Sequence, residues 1–140
     1  MLGNIQIGGD APISIQSMLN VKTANVQAAR EQMKRLISAG CEIIRFSVMD
    51  MDDALAIPEL KRGMNTALVA DIHFDYRLAL AAIENGIDGL RINPGNIGSR
   101  KGVESLSDAA KAQRIPIRIG VNSGSLPKEL LARYGHGSKA

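Results

Sequence analysis

Cysteine is almost absent from this sequence: Cys41 stands alone among 140 residues. An intrachain disulfide is therefore impossible, and no Cys-x-x-Cys metal motif can be formed. Aromatic residues are nearly as scarce, being Phe46, Phe74, Tyr76 and Tyr134, with no tryptophan. The Lys and Arg residues are scattered and the formal charge is only +3. Neither a stacking platform nor a basic stripe for nucleic acid is present, so nucleic acid is excluded as a partner. No run reaches 18 apolar residues, which excludes a transmembrane helix. Met1-Leu2-Gly3-Asn4 lacks the basic start and apolar core of a signal peptide, which points to the cytoplasm. Gly95 and Gly98 fit neither a dinucleotide-binding nor a P-loop spacing.

What remains is the composition of an ordinary globular chain, 45% apolar and 22% charged. Its length suits one domain or part of one. A short N-terminal hairpin is expected, with Gly8-Gly9-Asp10 as its turn, leading to a strand at Ile13–Ser17. Thr23 or Asn25 caps a helix with Val26, Ala29, Met33, Leu36 and Ile37 on one stripe, ended by Gly40. Ile43–Val48 reads as a strand. Asp50 or Asp52 opens a helix to about Arg62 that Pro58 shortens or kinks. Strands follow at Ala67–Ile72, Gly89–Ile92 and Ile117–Val121, with helices at Tyr76–Asn85, at Arg100–Gln113 and from Pro127. Such alternation demands a parallel sheet with right-handed crossovers. In an open doubly wound sheet, strands buried on both faces should be unbroken apolar runs. Three of these strands instead place an arginine opposite their aliphatic face. A barrel whose strand ends carry the site explains that better. The fold expected is a partial (β/α)₈ TIM barrel of about five parallel strands with helices outside.

The chemistry concentrates at the strand ends. Residues two apart in a strand share a face, so Asp71 and His73 point one way, as do Arg91 and Asn93. Arg45 with Ser47, and Arg118 with Gly120 and Asn122, follow the same pattern. Arg45-Phe46-Ser47, Arg91-Ile92-Asn93 and Arg118-Ile119-Gly120 echo one another at corresponding strand ends. Converging arginines are costly unless something anionic neutralises them, and guanidinium forks match phosphate oxygens. The loops at 94–98 and 122–125 add backbone N–H groups that can wrap an anion. Asn93 and Asn122 offer further donors, and His73 offers a cation or a general acid. The competing reading pairs each arginine with an acid inside the barrel, such as Asp71. Asp75 is expected as a helix cap, Cys41 as a packing residue at the opposite end of the barrel, and 135–140, with His136, as a disordered tail.

Several of these stretches are longer and more specific than any spacing argument. Gly8-Gly9-Asp10-Ala11-Pro12-Ile13, Gln16-Ser17-Met18, the run from Ala70 to Arg77, the run from Leu90 to Gly98 and the run from Pro116 to Leu126 resemble the 4-hydroxy-3-methylbut-2-enyl diphosphate synthases. The match runs from about Gly3 to Tyr134. The resemblance implies a (β/α)₈ barrel that binds 2-C-methyl-D-erythritol 2,4-cyclodiphosphate, a cyclic diphosphate. It also implies reductive ring opening with loss of water, in the methylerythritol phosphate route to isoprenoids. Flavodoxin or ferredoxin would supply the electrons through a [4Fe-4S] cluster held by a separate C-terminal domain. Carried over by position, Arg45, His73, Arg91, Asn93, Arg118 and Asn122 are the expected substrate ligands, with Asp71 and Ser47 in support and no metal ligand among them. No residue of this chain is assigned a catalytic role.

A full barrel takes eight strands, and five are expected here. Residues 1–134 then form the N-terminal part of the substrate-binding barrel, the iron–sulfur domain is absent, and the chain alone is expected to be inactive. Two other functions fit the residues. One is a phosphate-binding barrel without redox chemistry, similar in plan to the dihydropteroate synthases. The other is a non-catalytic fragment that associates with itself or with another barrel half, its open edges inviting such pairing.

Overall fold

A computed structural model describes residues 1–93, 95–97, 99–121 and 128–134, with the side chains of residues 130, 131 and 134 excepted. Five parallel strands form one sheet: β1 (Gln16–Met18), β2 (Ile43–Val48), β3 (Ala67–Ile72), β4 (Gly89–Ile92) and β5 (Ile117–Ile119). They lie side by side in chain order. A doubly wound sheet reverses its strand order at a switch point. This sheet never does, and it is the α/β architecture of a partial barrel.

Between the strands run α1 (Val26–Ser38), α2 (Met51–Leu55), α3 (Ile57–Lys61), α4 (Tyr76–Glu84) and α5 (Arg100–Ala112), with α6 (Lys128–Tyr134) after β5. Each main helix starts where a side chain can satisfy an orphan amide. Asn25 accepts from the Ala28 N–H, Asp50 from that of Asp53, Asp75 from that of Arg77 and Ser99 from that of Gly102. α1 stops at Gly40, which takes the left-handed φ of 94° that a side chain disfavours. The single helix expected after Asp50 is two short ones meeting at Ala56, because Pro58 begins a new first turn. The Arg30 guanidinium of α1 donates to the carbonyls of Glu59 and Arg62, tying α1 to the end of α3.

The alternating faces of the strands separate two interiors. Ile44, Phe46, Val48, Leu68, Ala70, Ile72, Leu90 and Ile92 form one apolar core with Ala29 and Met33 of α1, Ala79, Ala82 and Ile83 of α4 and Leu106 and Ala110 of α5. On the concave face, Ile43, Ala67 and Val69 pack with Leu2 and Ile5 in a second, smaller cluster. Leu2 and Ile5 exchange backbone hydrogen bonds of 2.8 and 2.9 Å around a turn at Gly3, whose φ is 53°. The N-terminal hairpin is thus tighter and earlier than expected, and it plugs the lower end of the half-barrel.

The edge strands depart most from their expected limits. β1 begins at Gln16 rather than Ile13, since the Ile15 N–H donates to the Glu42 carboxylate and Ile13 stands in the open. β5 ends at Ile119 rather than Val121. Among the described residues both strands have a single hydrogen-bonded neighbour. The tail at 135–140, with His136, lies outside the described residues. Among the described residues no helix is long and apolar enough to cross a membrane.

Candidate functional site

The register fixes which polar residues can meet. Ser47 pairs with Asp71, Asp71 with Arg91 and Arg91 with Arg118, giving one polar row across four strands. Arg45 belongs to the row below, opposite Val69. The three arginines are therefore not equivalent, although their tripeptides look alike; only Arg91 and Arg118 share a row.

Asp71 is the centre of the row and has no exposed surface. The Arg45 side chain reaches it diagonally, donating from Nε to Oδ2 at 2.9 Å and from Nη2 to the same oxygen. Arg91 donates from Nη1 to Oδ1 at 3.2 Å and from Nη2 to the Gly120 carbonyl at 3.5 Å. One carboxylate thus orients two guanidiniums, whose side chains retain 24% and 12% of their exposure. Pairing with Asp71, expected as the alternative to anion binding, holds for these two. It does not extend to Arg118, which is exposed and forms no ion pair or hydrogen bond among the described residues. Like charges side by side in a sheet repel. Among the described residues one acid of the row is set against three arginines, an excess of positive charge that a bound anion would relieve.

The remaining expected residues divide. Asn93 is 3% exposed, and its Oδ1 accepts from the Gly95 N–H at 3.1 Å, so it shapes the loop after β4. His73 lies just past β3, half-buried, with its ring 5.9 Å from that of Phe74 and no hydrogen bond or ion pair among the described residues. Ser47 engages through its backbone, its carbonyl accepting from Thr23 Oγ1 at 2.6 Å. Asn122 lies outside the described residues. Asp75 caps α4 and is bound by Arg77, whose side-chain hydrogen bonds, and then its backbone N–H, hold the carboxyl below the usual range.

Sequence reasoning overlooked Asp53. It is 1% exposed and accepts from the Ala24 N–H at 2.8 Å and the Met49 N–H at 3.0 Å. It staples the loop after β1 to the loop after β2, and Lys22 and Asp50 add an ion pair of 2.9 Å at the rim. A cavity of about 480 Å³ lies between these loops, lined by Asn20, Lys22, Ser47, Met49 and Asp50. Of the two acids expected as a cap, Asp50 and not Asp52 takes that role, and which of the remaining acids in Asp50-Met51-Asp52-Asp53 turns inward depends on the helix direction. Cys41 lies buried at the opposite end of the sheet, its Sγ 3.1 Å from the Ile43 carbonyl. Among the described residues no group of three or more His, Cys, Asp or Glu could hold a metal ion.

Comparison with known proteins bears on all of this. A family model described as the GcpE TIM-barrel domain matches residues 1–140. The chain is 60% identical over 134 residues to the 4-hydroxy-3-methylbut-2-en-1-yl diphosphate synthase (flavodoxin) of Clostridium perfringens, covering 96% of this chain and 38% of that protein. Proteins of the same name from Maridesulfovibrio salexigens and Geobacter sulfurreducens are 56% and 55% identical, with 96% of this chain covered in each case and 37% and 38% of theirs. The chain spans little more than a third of the length of these relatives.

Proposed function

From its membership of the GcpE TIM-barrel domain family, to which this chain belongs, we propose that it forms the diphosphate-binding part of a 4-hydroxy-3-methylbut-2-en-1-yl diphosphate synthase. The substrate of the whole enzyme is 2-C-methyl-D-erythritol 2,4-cyclodiphosphate, opened reductively and dehydrated in the cytoplasm with electrons from flavodoxin or ferredoxin. The observation that carries this reading is the polar row: Asp71 sets Arg45 and Arg91 in place, and Arg118 stands beside Arg91 with no acid of its own among the described residues. Guanidiniums held in this way meet a diphosphate with little reorganisation. Asn93 orders the start of the loop after β4, and Asn122 and His73 add donors to the anion. Ser47 supports the row from β2.

The [4Fe-4S] cluster of the whole enzyme does not fit this chain's residues. Such a cluster is held chiefly by cysteine thiolates, and the one cysteine is buried at the far end of the sheet. Turnover therefore belongs to a longer polypeptide, and binding is the property to measure here.

Calorimetric titration with the cyclodiphosphate tests the reading. Losing one charge-assisted bond costs roughly 1.5–3 kcal/mol, or about ten- to a hundredfold in affinity. Arg91→Ala and Arg118→Ala should each weaken binding by that order, and Arg91→Lys should also lose affinity because a point charge cannot make the two-pronged contact. Arg114→Ala, on an exposed turn, should change nothing. Unchanged affinity in both arginine-to-alanine variants would refute the site.

The free edges support a further part of the reading, self-association. Ile13, Ile15 and Met18 at β1 and Ile119 and Val121 at β5 are exposed, and unpaired strands recruit other chains. Light scattering should give a mass above that of one chain and rising with concentration. A strictly monomeric mass over a wide concentration range contradicts it.

A further inference from the structure

We propose that Gly120 is a positioning residue for Arg91: its missing side chain leaves the space in which that guanidinium reaches Asp71 and faces an anion. The inference rests on the diphosphate reading and extends it to a residue that touches no ligand.

Three observations converge on this position. A Cβ placed on Gly120 would lie 2.7 Å from Arg91 Nε, 2.8 Å from Nη2 and 3.1 Å from Cζ, inside van der Waals contact. The Gly120 carbonyl accepts from Arg91 Nη2 while Asp71 Oδ1 accepts from Nη1, so the guanidinium is held from two sides. Finally, Gly120 does not have a positive φ. Any residue can adopt its backbone, so conformational freedom does not account for a glycine there. Its N–H also continues the sheet, donating to the Ile92 carbonyl at 2.9 Å. Gly120 is thus rigidly placed against the part of Arg91 that would carry the contact.

The colliding group is the end of a flexible side chain, so Gly120→Ala should move the guanidinium rather than unfold the sheet. Gly89→Ala provides the matched control. It adds the same methyl to the same concave face, but against Leu2 at the plugged end.

The test uses the 140-residue chain and inorganic pyrophosphate. In nitrogen–proton correlation spectra, the Arg91 Nε–H signal is identified by its loss in Arg91→Lys. Gly120→Ala should shift that signal and weaken pyrophosphate binding about tenfold, the worth of one charge-assisted contact, with Tm nearly unchanged. Gly89→Ala should lower Tm and leave both the signal and the affinity alone. An Arg91 signal that stays in place in Gly120→Ala overturns the proposal, as does a shifted signal with wild-type affinity. A wild-type chain that binds no pyrophosphate removes the diphosphate reading and this proposal together. If wild type binds and Gly120→Ala binds equally well, only the proposal falls.

Discussion

The two faces of the sheet are built from the same strands and differ in almost every physical respect. Toward the helices, Ile44, Phe46, Leu68, Ala70, Ile72 and Leu90 are at most 1% exposed and purely apolar. Toward the concave side, a fully buried Asp71 is paired with Arg45 and Arg91, and Arg45, Ser47, Arg91 and Arg118 stay partly open to water. A period of two lets one strand serve both ends. Burial on the outer face supplies the stability, at about 25 cal/mol per Å² of apolar surface. The inner face is then free to hold charges that burial would penalise. Only at the lower end, where Leu2 and Ile5 cover Ile43, Ala67 and Val69, does the concave side also contribute a core.

The sharpest way to break this division is to remove one large group from each face. Phe46→Ala should cost about 3–4 kcal/mol through lost burial and a cavity, with affinity for a diphosphate unchanged in whatever fraction stays folded. Asp71→Ala should cost about 3 kcal/mol, near the low end for an ion pair stripped of one partner, because Arg45 and Arg91 keep some access to water. Unlike Phe46→Ala, it should also scramble both guanidiniums and reduce diphosphate affinity. Urea unfolding followed by titration separates the two. If Asp71→Ala were as stable as wild type, the carboxylate would not be organising the row.

A smaller effect concerns the rim. The Asp75 and Asp50 carboxyls cap α4 and α2 and are held below their ordinary value of 3.8, the first mainly by Arg77 and the second mainly by Lys22. A carboxyl depressed in the folded state stabilises fully above its unfolded value, and the contribution disappears as pH falls through the folded value. Stability should thus decline below about pH 4, and Asp75→Asn should flatten part of that decline while keeping most of the cap. Asp75→Ala should cost about 1 kcal/mol at neutral pH. An acid-denaturation profile identical in wild type and Asp75→Asn would show that the Arg77 contact is inconsequential in solution.

Much of this architecture was legible residue by residue. The limits of β2, β3 and β4 follow from apolar runs bounded by turn residues, and the cap at Asp75 from its place just ahead of a helical stripe. For the two earlier helices the sequence left Thr23 or Asn25 and Asp50 or Asp52 open, and the structure selects Asn25 and Asp50. The same reasoning put Arg45, Asp71, Arg91 and Arg118 on one face. It misjudged β1 and β5 because a strand ends where its neighbour stops pairing, and an edge strand has a neighbour on one side only. It also treated the three arginines as equivalent, since matching tripeptides carry no information about register.

The amino-acid sequence by itself therefore determined the alternation of strand and helix, the sidedness of each strand and the presence of a single cysteine. These are local or compositional properties, set by periods of 2 and 3.6 residues and by the chemistry of single side chains. Tertiary structure decided the rest. It put Asp71 between Arg45 and Arg91, left Arg118 beside them without an acid among the described residues, turned Asp53 inward to two loops, set Leu2 over Gly89 and opened the gap at Gly120 that Arg91 fills. Apart from the contact of Asp53 with Met49, each of these pairings joins groups some 20 or more residues apart in the chain. Distances between such groups follow from strand register and helix packing, which arise only when the whole sheet has assembled.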